Sequence, residues 1–247
     1  MAIVRDFVYL NRNLRKTLQS SLQNHRKSID GRLWPIIYLS LKIMRHHEAL
    51  ETLDYKGYGS EAGIVLRSMF EAVVNLMWIS QDMEERIPRY TAYQVYDSQK
   101  YRDYATKQET QIGLSEKELQ LRDKLFSELS EQAKDMKEKY GFKPNKHWSG
   151  KSLREMCKDL GWIERYDTLY KIYSDIAHSN ILASKDYISI EPNGMMRIIN
   201  ESQPMHCKAS LHEAFIYLYF AFEFLDIFLD LGMEEFLEKI YMRLPKQ

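Results

Sequence analysis

Leu66-Arg-Ser-Met-Phe-Glu-Ala-Val-Val-Asn-Leu-Met-Trp78 sets two opposite charges, Arg67 and Glu71, inside an otherwise apolar run. A spacing of four puts both on one face of a helix, and an ionised side chain taken out of water is costly unless it is paired. The run therefore reads as the core helix of an α-helical bundle whose two charges neutralise each other. That pair is either a structural ion pair or the seat of chemistry.

Upstream, Asp54-Tyr-Lys-Gly-Tyr-Gly-Ser60 predicts a turn with Ser60 as a helix N-cap. A helix is predicted from about Pro35 to Leu50, and an amphipathic one before it, with Phe7, Val8, Leu14, Leu18 and Leu22 near one side. This first helix, residues 1–24, is expected to be peripheral. Downstream, a tyrosine-rich helix is predicted over Glu84 to Lys107. Ser115 and Glu118 form a capping box that opens a charged, solvated helix to Tyr140. Ser152 caps a short helix ending near Gly161, and another runs from about Ile163 to Ser179.

The period then changes. In Asp186-Tyr-Ile-Ser-Ile-Glu-Pro-Asn-Gly-Met-Met-Arg-Ile-Ile-Asn200 two β-branched runs flank Asn193-Gly194, a strong hairpin signal. Two strands make no core alone, so the hairpin must lie on the helices or pair with a partner chain. The last long helix, near Lys208 to Leu231, carries Phe215, Tyr217, Phe220, Phe222 and Phe224. It is apolar nearly all round, as the most buried helix or a dimer surface would be. The expectation is a mostly α bundle, one domain over residues 1–247, with a β-hairpin at 186–200 inserted before the C-terminal helices.

Lys plus Arg and Asp plus Glu each total 35, so net charge gives no pull toward nucleic acid or anionic membrane; any nucleic-acid site must be local. Cys157 and Cys207 stand without zinc-ligand spacing and suit a reducing compartment. The N-terminus lacks a signal-peptide layout, and no apolar stretch reaches the roughly 18 residues of a membrane span. A cytoplasmic protein with no membrane association is expected.

Lys171, Ser174 and His178 share one helix face, with Leu169, Ile172, Tyr173 and Ile176 on the apolar side. His178 ends that helix, where it can act as a general acid or base with Asp175 holding its ring, or simply cap the helix. If Arg67, Glu71 and His178 converge, they supply a cation for a phosphate, a carboxylate to orient it and a proton carrier. That set can cleave RNA without metal.

Ser149-Gly150-Lys151-Ser152 fails as a phosphate loop because Asn145 stands where glycine is required. Lys151 beside the helix opening at Ser152 can still attract a phosphate, or be a solvated cap. His147 and Trp148 either stack on a base or close the core. His46, His47 and Glu51 hint at a metal, but no second Glu-x-x-His set occurs, and neither metal nor cofactor is expected. Tyr90, Tyr93, Tyr96, Tyr101 and Tyr104 form either a stacking platform or core rims.

Leu66-Arg-Ser-Met-Phe-Glu-Ala72, Trp148-Ser-Gly-Lys-Ser152 and Tyr170-Lys-Ile-Tyr-Ser-Asp-Ile-Ala-His-Ser179, followed by the hairpin and the aromatic terminal helix, resemble an uncharacterised bacterial family, domain of unknown function 5677. That family resembles the HEPN helical proteins, which commonly dimerise and in many cases act as metal-independent ribonucleases in phage defence and toxin systems. The resemblance implies a homodimer and an RNA substrate or a partner protein from the same defence or toxin system. Arg67, Glu71 and His178 would be catalytic, with Lys151, Trp148, Tyr173 and Ser174 binding substrate. Active HEPN ribonucleases carry arginine and then, four to six residues on, histidine on one helix; here Arg165 is too distant from His178, so Arg67 must substitute from another helix. The alternative is a non-catalytic module that recruits protein or nucleic acid through its terminal helix and hairpin.

Overall fold

The computed structural model describes residues 2–107, 115–143, 146–199 and 207–243 and is mostly α-helical. Where one domain was expected, contacts gather the chain into two compact units, residues 1–78 with 157–247 and residues 79–156.

In the first unit lie α1 (Ala2–Asn24), α2 (Trp34–Tyr55) and most of α3 (Gly59–Ser80). Pro35 opens α2, where its missing N–H costs nothing. α9 (Cys207–Leu229) packs against both α1 and α2. Phe7, Leu14 and Leu18 of α1 meet Ile36, Ile43 and Leu50 of α2 and Phe215 and Phe222 of α9 in a core from which water is excluded. α1 is thus not peripheral. α9 is largely buried, as α3 is, with Phe215, Tyr217 and Phe222 turned into the protein's own core. α10 (Glu234–Tyr241), unforeseen in the sequence, follows it.

α3 is long and apolar enough, by length and composition alone, to cross a membrane, contrary to the expectation that no stretch reaches that length; 61% of that stretch is buried inside the protein.

α7 (Ile163–Arg165) runs through a π-helical turn, Tyr166–Tyr170, into α8 (Lys171–Ala177). The extra residue of such a turn rotates everything after it by about 100°. That explains why Ile172, expected on the apolar side, is 47% exposed while Tyr173 is buried. The Tyr173 ring fills the place a side chain would take at Gly63, since a Cβ there would fall 2.1 Å from it. Glycine therefore lets α3 and α8 approach closely.

β1 (Ile188–Ile190) and β2 (Met196–Ile198) form an antiparallel hairpin pairing Ile188 with Ile198, Ser189 with Arg197 and Ile190 with Met196. Asn193 accepts from the Met195 N–H, and Gly194 takes the positive φ its turn requires. The predicted hairpin residue Asn200 lies outside the described residues.

In the second unit α4 (Met83–Lys107) pairs with α5 (Glu116–Tyr140). The predicted capping box is present, with Glu118 accepting from both the Ser115 N–H and hydroxyl, and Gly141 closes α5 in the left-handed conformation. Ala92, Tyr96 and Phe142 form this unit's small core with Tyr93, Met136 and Tyr140 around it. α6 (Leu153–Asp159) begins here.

Candidate functional site

Arg67 and Glu71 form the predicted pair, Nη2 to Oε1 3.2 Å, with side chains 25% and 41% exposed. A third residue closes the group. The Tyr170 hydroxyl accepts from Arg67 Nη2 at 3.2 Å and donates to Glu71 Oε1 at 2.9 Å, so each member touches the other two. The Arg67 guanidinium also lies 5.2 Å from the centroid of the Tyr170 ring.

Burial pushes the Tyr170 hydroxyl up to about 12, which keeps it protonated and donating. Burial works against the Arg67 charge, but the Tyr170 hydroxyl and the Glu71 carboxylate outweigh it and raise its pKa. Two of the guanidinium's five N–H groups, both on Nη2, suffice for Tyr170 and Glu71, and Nε is buried without a hydrogen bond among the described residues.

The π-helical turn sets this geometry. It stacks Tyr166 on Tyr170, centroids 4.8 Å apart and planes at 19°, and leans Tyr170 on Phe70 at 5.4 Å. Phe70 packs in turn on Trp162 and Tyr217 in the core. Behind them Glu213, buried on α9, accepts from Arg165 and lies 3.3 Å from His212. Arg165 is thereby committed to α9.

His178 does not meet the trio. It follows α8, eight residues beyond Tyr170, which sets its backbone about 12 Å further along the helix. Its side chain is exposed and has no hydrogen bond or ion pair among the described residues. Asp175, expected to hold its ring, accepts instead from Asn180 Nδ2 at 3.0 Å. Ser174 is half-buried, Lys171 pairs with Asp167, and Tyr173 is held in the α3–α8 seam.

The other two predicted substrate-binding residues belong to the second unit. Trp148 is buried edge-on to Tyr90 at 5.0 Å, and its carbonyl accepts from Arg89 Nε at 2.8 Å, so it closes that unit's core. Lys151 is exposed. At the start of α6, Glu155 accepts from both the Ser152 N–H and hydroxyl at 2.7 Å. The chain's own carboxylate thus occupies the position a phosphate would take. Tyr90, Tyr93 and Tyr96 line this unit's packed aromatic cluster, while Asn145 and the side chains of Tyr101 and Tyr104 lie outside the described residues.

The His47 and Glu51 pair is likewise committed elsewhere. His47 Nε2 donates to Asn11 Oδ1 at 2.6 Å, and Glu51 receives Arg12 Nε at 2.8 Å and Arg15 Nη2 at 3.1 Å. His46 reaches Ser68 at 3.3 Å.

A helical unit whose half-exposed arginine is gripped by a carboxylate and a phenol is equipped to hold an oxyanion. The chain belongs to the family described as Family of unknown function (DUF5677), which matches residues 33–196. That stretch includes the Arg67, Glu71 and Tyr170 trio but leaves out α1 and α9, which complete the core. No curated protein and no solved structure matches the chain.

Proposed function

We propose that the chain is an RNA-directed, HEPN-like protein whose phosphate-binding element is Arg67, oriented by Glu71 and Tyr170. The observation that carries this reading is the closed trio at a π-helical turn, a kind of distortion frequent at functional sites. Half-exposure leaves a cation accessible to a ligand, and the two anchors restrict the directions in which its remaining N–H groups point. Metal-independent cleavage is the catalytic form of the proposal. In it His178 takes the proton of a ribose 2′-hydroxyl as that oxygen bonds to the adjacent phosphorus, the bond from phosphorus to the 5′-oxygen breaks, water protonates the departing oxygen, and Arg67 stabilises charge on the phosphoryl oxygens; this requires the C-terminal end of α8 to move toward the trio.

Incubation of the purified protein with total RNA, with and without chelator, tests both forms. Chelator-resistant fragments with 2′,3′-cyclic ends, lost in His178→Ala and Arg67→Ala, are the result expected of the enzyme. Binding without fragments, weakened about tenfold in Arg67→Ala, retains the phosphate site and removes the catalytic step. Absence of both ends the proposal.

A further inference from the structure

α2 turns an aromatic and basic ridge away from the core. Ile36, Leu39, Ile43 and Leu50 are buried, so the opposite side of the helix, with Trp34, Tyr38 and Arg45, faces water. Trp34 and Tyr38 are 38% and 44% exposed, and their ring centroids lie 6.2 Å apart. Lys42 and His46 continue the same spacing of four, and a ridge of that spacing winds slowly around its helix. His46 reaches Ser68 of α3 at 3.3 Å. Ser68 shares the half-exposed face of α3 with its neighbour Arg67 and with Glu71. The ridge therefore runs about 18 Å from Trp34 to His46 and ends at the residue next to Arg67.

Its charge is of one sign. Residues 31–47 contain Arg32, Lys42 and Arg45 and no Asp or Glu. Arg32 is paired with Asp30, and Glu48, the carboxylate one turn beyond Arg45, is paired with Arg15 of α1. The side chains of Lys42 and Arg45 have no hydrogen bond or ion pair among the described residues.

We infer that this ridge is the track along which a single-stranded RNA reaches Arg67, its bases stacked on Trp34 and Tyr38 and its phosphates on Lys42 and Arg45. Every base offers a π face, so two exposed rings accept any sequence, while the unpaired cations further along the ridge neutralise the backbone. In a duplex those faces are hidden in the stack. A membrane would need a broad apolar face, whereas this one carries two rings with polar tips. The inference rests on the phosphate-directed reading of Arg67, to which it adds the strand's path and its single-stranded form.

Fluorescence anisotropy of the full chain with a labelled oligouridylate of about 12 nucleotides, at several salt concentrations, tests it. The parent should bind this strand at least about tenfold more tightly than an RNA duplex of the same length. The Trp34→Ala, Tyr38→Ala double variant should lose about tenfold or more in affinity, with an unchanged far-ultraviolet circular dichroism spectrum, and the Trp34→Phe, Tyr38→Phe variant should bind as the parent does. Lys42→Ala with Arg45→Ala should make the salt dependence shallower by about two phosphate contacts, and decides the matter if the aromatic pair proves necessary for folding. Binding lost in Arg67→Ala but equal to the parent's in both ridge variants overturns the track and leaves the reading of the trio standing. The reverse pattern keeps the ridge as an RNA surface and ends the role of Arg67, and no binding by the parent ends both. Equal affinity for duplex and single strand, or capture on phosphatidylserine vesicles with no RNA bound, also overturns the track.

Discussion

Two groups of charge in the first unit differ in what surrounds them. Between α1 and α2, Glu51 takes guanidinium groups from Arg12 and Arg15, and Arg15 reaches on to Glu48 at 2.9 Å. Asn11 is fixed alongside by the carbonyls of Phe7 and Leu211 and by His47. Here the Arg15 and Glu51 side chains are 9% and 4% exposed, against 25% and 41% for Arg67 and Glu71. The first group joins three helices and withdraws its central pair, Arg15 and Glu51, from water, with Arg12 and Glu48 exposed at its edge. The second has comparable partners but keeps an open side. Burial thus separates an ion pair that organises a core from one able to meet a ligand.

Substitutions at the two carboxylates break this comparison most sharply. Glu51→Ala removes the one buried carboxylate that Arg15 meets, leaving it only the exposed Glu48, and should cost about 4 kcal/mol in urea denaturation, whereas Glu71→Ala should cost under about 1 kcal/mol. Equal losses at the two sites would erase the distinction. Gly63→Ala comes next. Its methyl would lie 2.1 Å from the Tyr173 ring and must push α3 from α8, at about 3 kcal/mol, dispersing the Arg67, Tyr170 contact with it.

Buried groups of the first unit supply a pH test of intermediate size. Burial raises the Asp54 carboxyl to about 7, against the Ser210 hydroxyl that donates to it at 2.7 Å. Its protonated form is the one folding favours, so the stability it contributes is complete below about pH 4 and lost as pH rises to about 7. Burial, with Arg15 nearby, lowers His47 to about 3, so its contribution is complete above about pH 6.5 and lost as pH falls toward 3. The two oppose each other between about pH 4 and 6.5. Asp54→Asn should therefore tilt the stability profile of the parent upward with pH, by up to about 1.4 kcal/mol per unit over that window. Parallel profiles for parent and variant would show that Asp54 ionises normally.

The smallest stability effect belongs to Tyr170→Phe, which removes one hydroxyl from a half-exposed trio at about 1 kcal/mol. Under the proposed function the same change loosens Arg67 and weakens RNA binding severalfold, measurable by fluorescence anisotropy. An unchanged affinity would make the phenol a packing group only.

Much of this was readable in the residues. The charged pair at i and i+4, the Ser115 capping box, the Asn193-Gly194 turn and the mostly α class each rest on local spacing, and each is present. What escaped depends on distant contacts. Nothing local distinguishes a π turn from continuous α-helix at Tyr166–Tyr170, so an unbroken α period puts Ile172 on the wrong face and leaves Tyr170 outside the expected site. Its spacing of four from Tyr166 was the available signal. α1 reads as an ordinary amphipathic helix, and only the long-range Asn11 bond to Leu211 and the packing on α9 reveal it as core. Ser60, a good cap by sequence, donates instead to Asp186, 126 residues away.

The most direct test of the central claim is the affinity of Arg67→Ala for a short single-stranded RNA, measured together with its melting temperature. The account predicts affinity reduced about tenfold and a salt dependence shallower by about one phosphate contact, with melting moved by no more than about 4 °C. Binding equal to the parent's, or a collapse in melting temperature in place of a loss of binding, would contradict it and return the trio to the structural role of its counterpart between α1 and α2.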